Sequence, residues 1–155
     1  MTTVTGLTPS RMRAPMPREK HNSQLISDLK KIVGSGHVLT SPSGTQRFRK
    51  GFRFGDGLAL AVVRPGNLVE QWRVLNTCVA AGKIVIMQAA NTGLTGGSTP
   101  DGDQYDREIV NISTLRIDQI HLIDEGRQVI CLPGATLFEL EKALRRFCQH
   151  SRQQT

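Results

Sequence analysis

The stretch from Gln88 to Pro100, Gln-Ala-Ala-Asn-Thr-Gly-Leu-Thr-Gly-Gly-Ser-Thr-Pro, concentrates residue types that can hold an anion without a full charge. Small residues at Ala89, Ala90, Gly93, Gly96 and Gly97 let a ligand come close to the main chain. Asn91, Thr92, Thr95 and Ser98 can add side-chain donors. Consecutive backbone amides in such a loop form an anion-binding concavity. Between Lys83 and Arg107 there is no Lys or Arg, so a phosphate bound here is held by amide and hydroxyl dipoles. A nucleotide-hydrolysing P-loop needs Lys immediately before its Ser or Thr, whereas Gly97 stands before Ser98. The G-x-G-x-x-G fingerprint is absent and no helical pattern follows the loop, which argues against a Rossmann NAD site. A diphosphate inside a dinucleotide fits best. The plainer alternative is a Gly-rich surface connection between two strands.

The loop needs elements to hold it. Leu25, Ile26, Leu29, Ile32 and Val33 fall on one helical face that Gly34 is placed to end, which predicts a helix over about 23–33. The apolar run 58–63, bounded by Gly57 and Pro65-Gly66, suits a strand buried on both faces. Asn67 and Glu70 form a capping pair, and Leu68, Trp72, Leu75 and Val79 continue at helical spacing to Gly82 as a core stripe. A strand over 84–87 follows, so the unit is strand, helix, strand, with a parallel pair and its loops at the carboxyl ends. Residues 109–112 read as another strand, 120–123 and 128–132 as a hairpin around Asp124-Glu125-Gly126, and Thr136 with Glu139 as the start of a last helix reaching Phe147. The expected fold class is α+β (α/β-like), a small mixed sheet with flanking helices.

Composition sets the outer bounds. The chain has 155 residues, 38% of them hydrophobic and 5% aromatic, which fits one ordinary domain with an aliphatic core. Its net charge of +7 is spread over the leader, the segment Arg47-Phe48-Arg49-Lys50-Gly51-Phe52-Arg53, read as a loop, and the C-terminal region. No RNP-type or zinc-finger pattern accompanies that charge, so it reads as a solvated basic face and no nucleic acid is expected as a partner. Cys78, Cys131 and Cys148 are widely spaced and form no C-x-x-C pair, which suggests a reducing compartment. No apolar run is long enough for a membrane span and no secretory signal is visible. His21, His37, His121 and His150 lack a partner motif and read as structural or surface residues, and Asp101, Asp103 and Asp106 as a polar turn lacking the rest of a calcium loop. Residues 1–21 read as a flexible basic leader, 22–148 as the folded region and 149–155 as a frayed tail.

The run from Val62-Val63-Arg64-Pro65-Gly66 through Ile84-Val85-Ile86-Met87 to Thr92-Gly93-Leu94-Thr95-Gly96-Gly97 resembles the first half of the FAD-binding domain of the vanillyl-alcohol oxidase and PCMH flavoprotein superfamily. Within that superfamily, Gln88 to Thr95 and Leu132-Pro133-Gly134-Ala135-Thr136-Leu137 look like the quinone-dependent D-lactate dehydrogenases. Where many members carry Gly-Gly-Gly-Thr-Gly, this chain has Ala89-Ala90-Asn91-Thr92-Gly93. The resemblance covers about 22–147 and implies an FAD-binding PCMH-type subdomain, with Ala89, Ala90, Asn91, Thr92, Gly93, Gly97 and Ser98 wrapping the FAD pyrophosphate. It implies oxidation of D-lactate or a related 2-hydroxy acid to the keto acid, with electrons passed to quinone. The implied location is cytoplasmic, with peripheral association at the cytoplasmic face of the inner membrane. The family's second FAD-contacting segment and substrate domain have no counterpart here, so a C-terminal half of the same protein is an expected partner and activity is not expected of this chain alone. A non-catalytic remnant or accessory module that does not bind flavin stays open as the alternative.

Overall fold

The computed structural model describes residues 18–152, so the expected leader lies outside the described residues up to position 17, as do 153–155 of the expected tail. Helix α1 spans Arg18–Val33, starting earlier than the apolar periodicity alone indicates, and Gly34 ends it at φ +86. Its Leu25, Leu29 and Val33, one turn apart, are buried. A single 3₁₀ turn leads into β1 (Val38–Leu39) and then α2 (Pro42–Arg49). Neither β1 nor α2 follows from hydrophobic periodicity. Helix α2 is instead started by chemistry at its end: Ser41 Oγ accepts from Gly44 N at 3.2 Å and Pro42 occupies the first turn. Arg47, Phe48 and Arg49 therefore sit in a helical turn and not in a loop, and Phe48 is buried at 3% exposure.

Strand β2 is Ala61–Val63, shorter than the apolar run at 58–63, and Leu58 is 68% exposed. Before β2 the chain is held elsewhere, by a bridge from Gly57 to Gly102. Helix α3 (Leu68–Ala80) is capped as its sequence indicates, with Asn67 Oδ1 accepting from Glu70 N at 2.9 Å. Glu70 reaches back one residue further than expected, its Oε2 accepting from Gly66 N at 2.7 Å. Strand β3 (Ile84–Gln88) leads to the Gly-rich loop, and β4 (Ile109–Ser113) follows it. The hairpin β5 (Ile120–Ile123) and β6 (Gln128–Cys131) and helix α4 (Leu137–Arg152) complete the order. Helix α4 runs on past Phe147 to Arg152, through the first residues of the expected tail.

The main sheet has the order β1-β2-β4-β3, with β2, β4 and β3 parallel and β1 antiparallel at one edge. Thus β2 and β3 are parallel, but they are not neighbours as the strand, helix, strand reading implied, because β4 lies between them. Every residue of β4 is buried, which suits a central strand, whereas β3 is only partly covered and takes the edge. One sheet face (Ala61, Val63, Val110, Ile112) packs on Leu25, Leu29 and Val33 of α1 and Val74 and Cys78 of α3. Each such aliphatic side chain contributes about 1.5–3 kcal/mol through burial.

The expected core stripe of α3 is overturned. Trp72 is 64% exposed, and Leu68, Leu75 and Val79 are exposed too. Apolar residues surround this helix on two sides, while the sheet offers it one surface, taken by Val74 and Cys78.

Candidate anion-binding loop

In a parallel sheet all carboxyl ends point one way. The end of β3 at Gln88 therefore shares a rim with Arg64-Pro65-Gly66 after β2 and Thr114-Leu115-Arg116 after β4. There Arg116 Nη1 donates to Arg64 O at 2.6 Å, which ties two of the rim segments together. The loop from Ala89 to Ser98 leaves this rim.

The loop is anchored from beneath by side chains on the second face of the sheet. Gln88 Nε2 donates to Phe48 O at 2.9 Å and to Ser98 O at 2.7 Å, and Asn111 Nδ2 donates to the same Phe48 carbonyl at 2.8 Å. The base and the closing residue of the loop are thus tied to the end of α2. Asn111 is fully buried, and its Oδ1 and the Ser113 Oγ have no hydrogen-bond partner. Buried polar atoms of this kind make the second face mixed, with Val62 and Ile109 beside Gln88, Asn111 and Ser113, where the first is aliphatic. Sequence reasoning missed Gln88 and Asn111 as positioning residues. The available signal was a polar side chain inside each of two otherwise apolar strands, Ile-Val-Ile-Met-Gln and Ile-Val-Asn-Ile-Ser.

All seven expected site residues fall in this one loop. Ala89, Ala90, Thr92, Gly93 and Gly97 are exposed, and Asn91 and Ser98 half-buried. Ser98 Oγ donates to Asn91 Oδ1 at 2.9 Å, and Asn91 Nδ2 donates to Lys50 O at 2.8 Å. Those two side chains therefore shape the loop, while Thr92 and Thr95 are exposed. Among the described residues, no backbone N–H from Ala89 to Ser98 donates to a protein acceptor, and the next one, Thr99 N, closes a turn on Gly96 O at 3.2 Å. Positive φ falls at Asn91 (57°) and Gly96 (77°), not at Gly93, and a Cβ added at Gly93 meets nothing within 4 Å. The loop is therefore an open row of free donors with room above Gly93, an arrangement that can accept an anion.

Elsewhere, burial pushes the Cys78 thiol up to about 11, and Cys78, Cys131 and Cys148 are all free. Burial also lowers His37, beside Arg116 and Arg64. A pocket of about 350 Å³ between α1 and α3 carries His21 and Asp28, but it lies on the other side of the sheet from Gln88 and Asn111.

No protein-family model matches the chain. Over 124 residues it is 59% identical to the quinone-dependent D-lactate dehydrogenase of Escherichia coli K12, which accounts for 80% of this chain and 22% of that protein. The chain is a relative of the quinone-dependent D-lactate dehydrogenases. The enzyme of that name from Haemophilus influenzae is 60% identical over 124 residues, and that of Corynebacterium glutamicum 52% over 133. The chain spans only 22% of the length of the first two and 23% of the third. Among solved structures, alkyldihydroxyacetonephosphate synthase superposes with a TM-score of 0.71 at 16% identity, over 80% of this chain and 25% of that one. p-Cresol methylhydroxylase follows at 0.67 and 13%, over 83% and 25%. At such identities these likenesses speak for the fold alone, an α+β arrangement that matches about a quarter of each of those chains.

Proposed function

We propose that the chain supplies the loop that holds the FAD diphosphate in an oxidoreductase converting D-lactate to pyruvate and passing the electrons to a quinone. The carrying observation is the exposed, cation-free row of backbone N–H groups from Ala89 to Ser98 without protein acceptors. It stands in a chain whose relatives are named for that reaction. FAD, when bound, supplies the redox chemistry by accepting hydride from the hydroxy acid. The chain's own part is to bind and orient. Gly93 and Gly97 leave space for the phosphates, the free amides of 89–98 stabilise their charge, and the Asn91–Ser98 pair keeps the loop in shape.

No residue of this chain is assigned a proton transfer. The chain spans about 22% of its relatives' length, and the substrate pocket and the quinone contact are assigned in this reading to the remainder. Electron delivery to a membrane quinone favours peripheral association at the cytoplasmic face of the inner membrane. Among the described residues no helix is long and apolar enough to cross a membrane.

Residues 1–155 made alone are expected to be colourless and inactive with D-lactate and a quinone analogue, because a dinucleotide must be enclosed on several sides to offset the cost of ordering it. When these residues replace the matching segment of the Escherichia coli enzyme, flavin and activity should return. In that chimera Gly93→Val should lower FAD content about tenfold by placing a branched side chain where the diphosphate passes. Unchanged flavin content would remove the loop assignment. A folded chimera without flavin would favour the accessory-module alternative.

A further inference from the structure

The loop contains no cation, yet a diphosphate is multiply charged. A second segment lies against the loop and carries the missing charge. Residues 50–56 form a tight hairpin, with an antiparallel bridge between Lys50 and Asp56 and Gly51 N donating to Gly55 O at 2.8 Å. The hairpin is held on both sides. Arg49 Nη1 donates to Gly57 O at 3.2 Å, and Gly102 N donates to Asp56 O at 3.0 Å. Only glycine fits at Gly55, which has φ +89 and faces the Thr99 side chain without room for a Cβ.

Two contacts seat the hairpin on the loop. Asn91 Nδ2 holds the Lys50 carbonyl at 2.8 Å, and a Cβ on Gly96 would lie 3.1 Å from Phe54 Cβ. The tip, Phe52-Arg53-Phe54, is exposed, and neither Lys50 nor Arg53 enters an ion pair among the described residues. A rigid turn that carries an exposed, unpaired guanidinium one residue from its contact with a row of free amides suits an anionic ligand bridging the two.

We propose that this hairpin is the second wall of the diphosphate site, Arg53 pairing with the phosphates and Phe54 seating the tip on Gly96. The inference rests on the loop being the diphosphate site, and its test separates the two. A fluorescent N-methylanthraniloyl ADP is titrated by anisotropy into the chimera with the Escherichia coli enzyme described above, freed of flavin, and into its variants, with thermal unfolding recorded for each. Arg53→Ala should raise Kd about fivefold at low ionic strength, a loss that shrinks as salt is added. Arg53→Lys should recover part of it, and Lys30→Ala, on α1 across the sheet, should change nothing. Gly97→Val should weaken binding through the loop.

If Gly97→Val weakens binding while Arg53→Ala does not, the hairpin wall is overturned and the loop stands. If Arg53→Ala weakens it while Gly97→Val does not, the loop assignment falls and the shared site with it. Absence of binding up to about 10 mM overturns both. Arg53 is exposed and unpaired, so its variants should unfold at the parental temperature and a folding defect will not confuse the result.

Discussion

Lys83 sits with its side chain 5% exposed, its ammonium donating to Asn22 Oδ1 at 2.6 Å and to Glu108 Oε2 at 3.0 Å. These bonds tie the first turns of α1 to the start of β4. The hydrogen bond from Lys83 holds the Glu108 carboxyl down from 4.5 to about 2, against the opposing effect of its burial. A carboxyl whose pKa is lower folded than unfolded stabilises the fold fully above its ordinary value, and that share is lost as pH falls through its folded value. Stability from Glu108 is therefore complete above about 4.5 and drains away towards about 2. Glu108→Gln should cost about 2 kcal/mol at neutral pH, since it leaves a buried ammonium without its anion, and should flatten the acid limb of stability between those values. Thermal unfolding of both proteins across that range checks it, and parallel curves would show that Glu108 is not the group responsible. In the sequence, Lys83 served only to mark one end of a cation-free interval. Its ion pair joins residues 25 positions apart and needed the fold to be seen.

The elements that repeat their apolar residues regularly were legible, α1, β3, β4, the β5–β6 hairpin and α4 among them. Helix α2 was not, because Pro-Ser-Gly-Thr-Gln-Arg-Phe-Arg has a single apolar residue and its start depends on a cap. Yet α2 matters to the site, since its Phe48 carbonyl is the shared acceptor for Gln88 and Asn111. Gln88→Leu should remove the donor to Ser98 O while leaving Asn111 on Phe48 O. The expected loss is about 1–2 kcal/mol, together with faster hydrogen exchange of the amides flanking the loop. Exchange in α3, which packs on the other sheet face, should change far less. Uniformly faster exchange in both regions would show that Gln88 supports the whole sheet and not the loop in particular.

Over the whole molecule, large apolar side chains stay in water on α3 (Leu68, Val69, Trp72, Leu75, Val79), on β6 (Val129, Ile130) and on α4 (Leu137, Phe138). Contiguous exposed apolar surface of this kind favours association. Helices carry most of it. The 155-residue chain is therefore expected to self-associate in sedimentation velocity. The pair Trp72→Lys with Val79→Glu should shift it towards monomer without lowering the unfolding temperature, because both side chains are already more than half exposed. Association unchanged by this pair would place the contact on α4 or the hairpin.

By itself the sequence determined the position and composition of the Gly-rich loop proposed to bind an anion, since Gly spacing, the absence of cations and the neighbouring strand are local properties of consecutive residues. It also determined most elements, whose periodicity records which side of each faces a core. Only the tertiary structure decided that β4 separates β2 from β3, that the Trp72 stripe faces water, and that the hairpin at 50–56 rests on the loop. Each of these depends on which of several available surfaces an element takes, a competition among burial areas and long-range hydrogen bonds such as Asn91 to Lys50, 41 positions away. No local pattern encodes it.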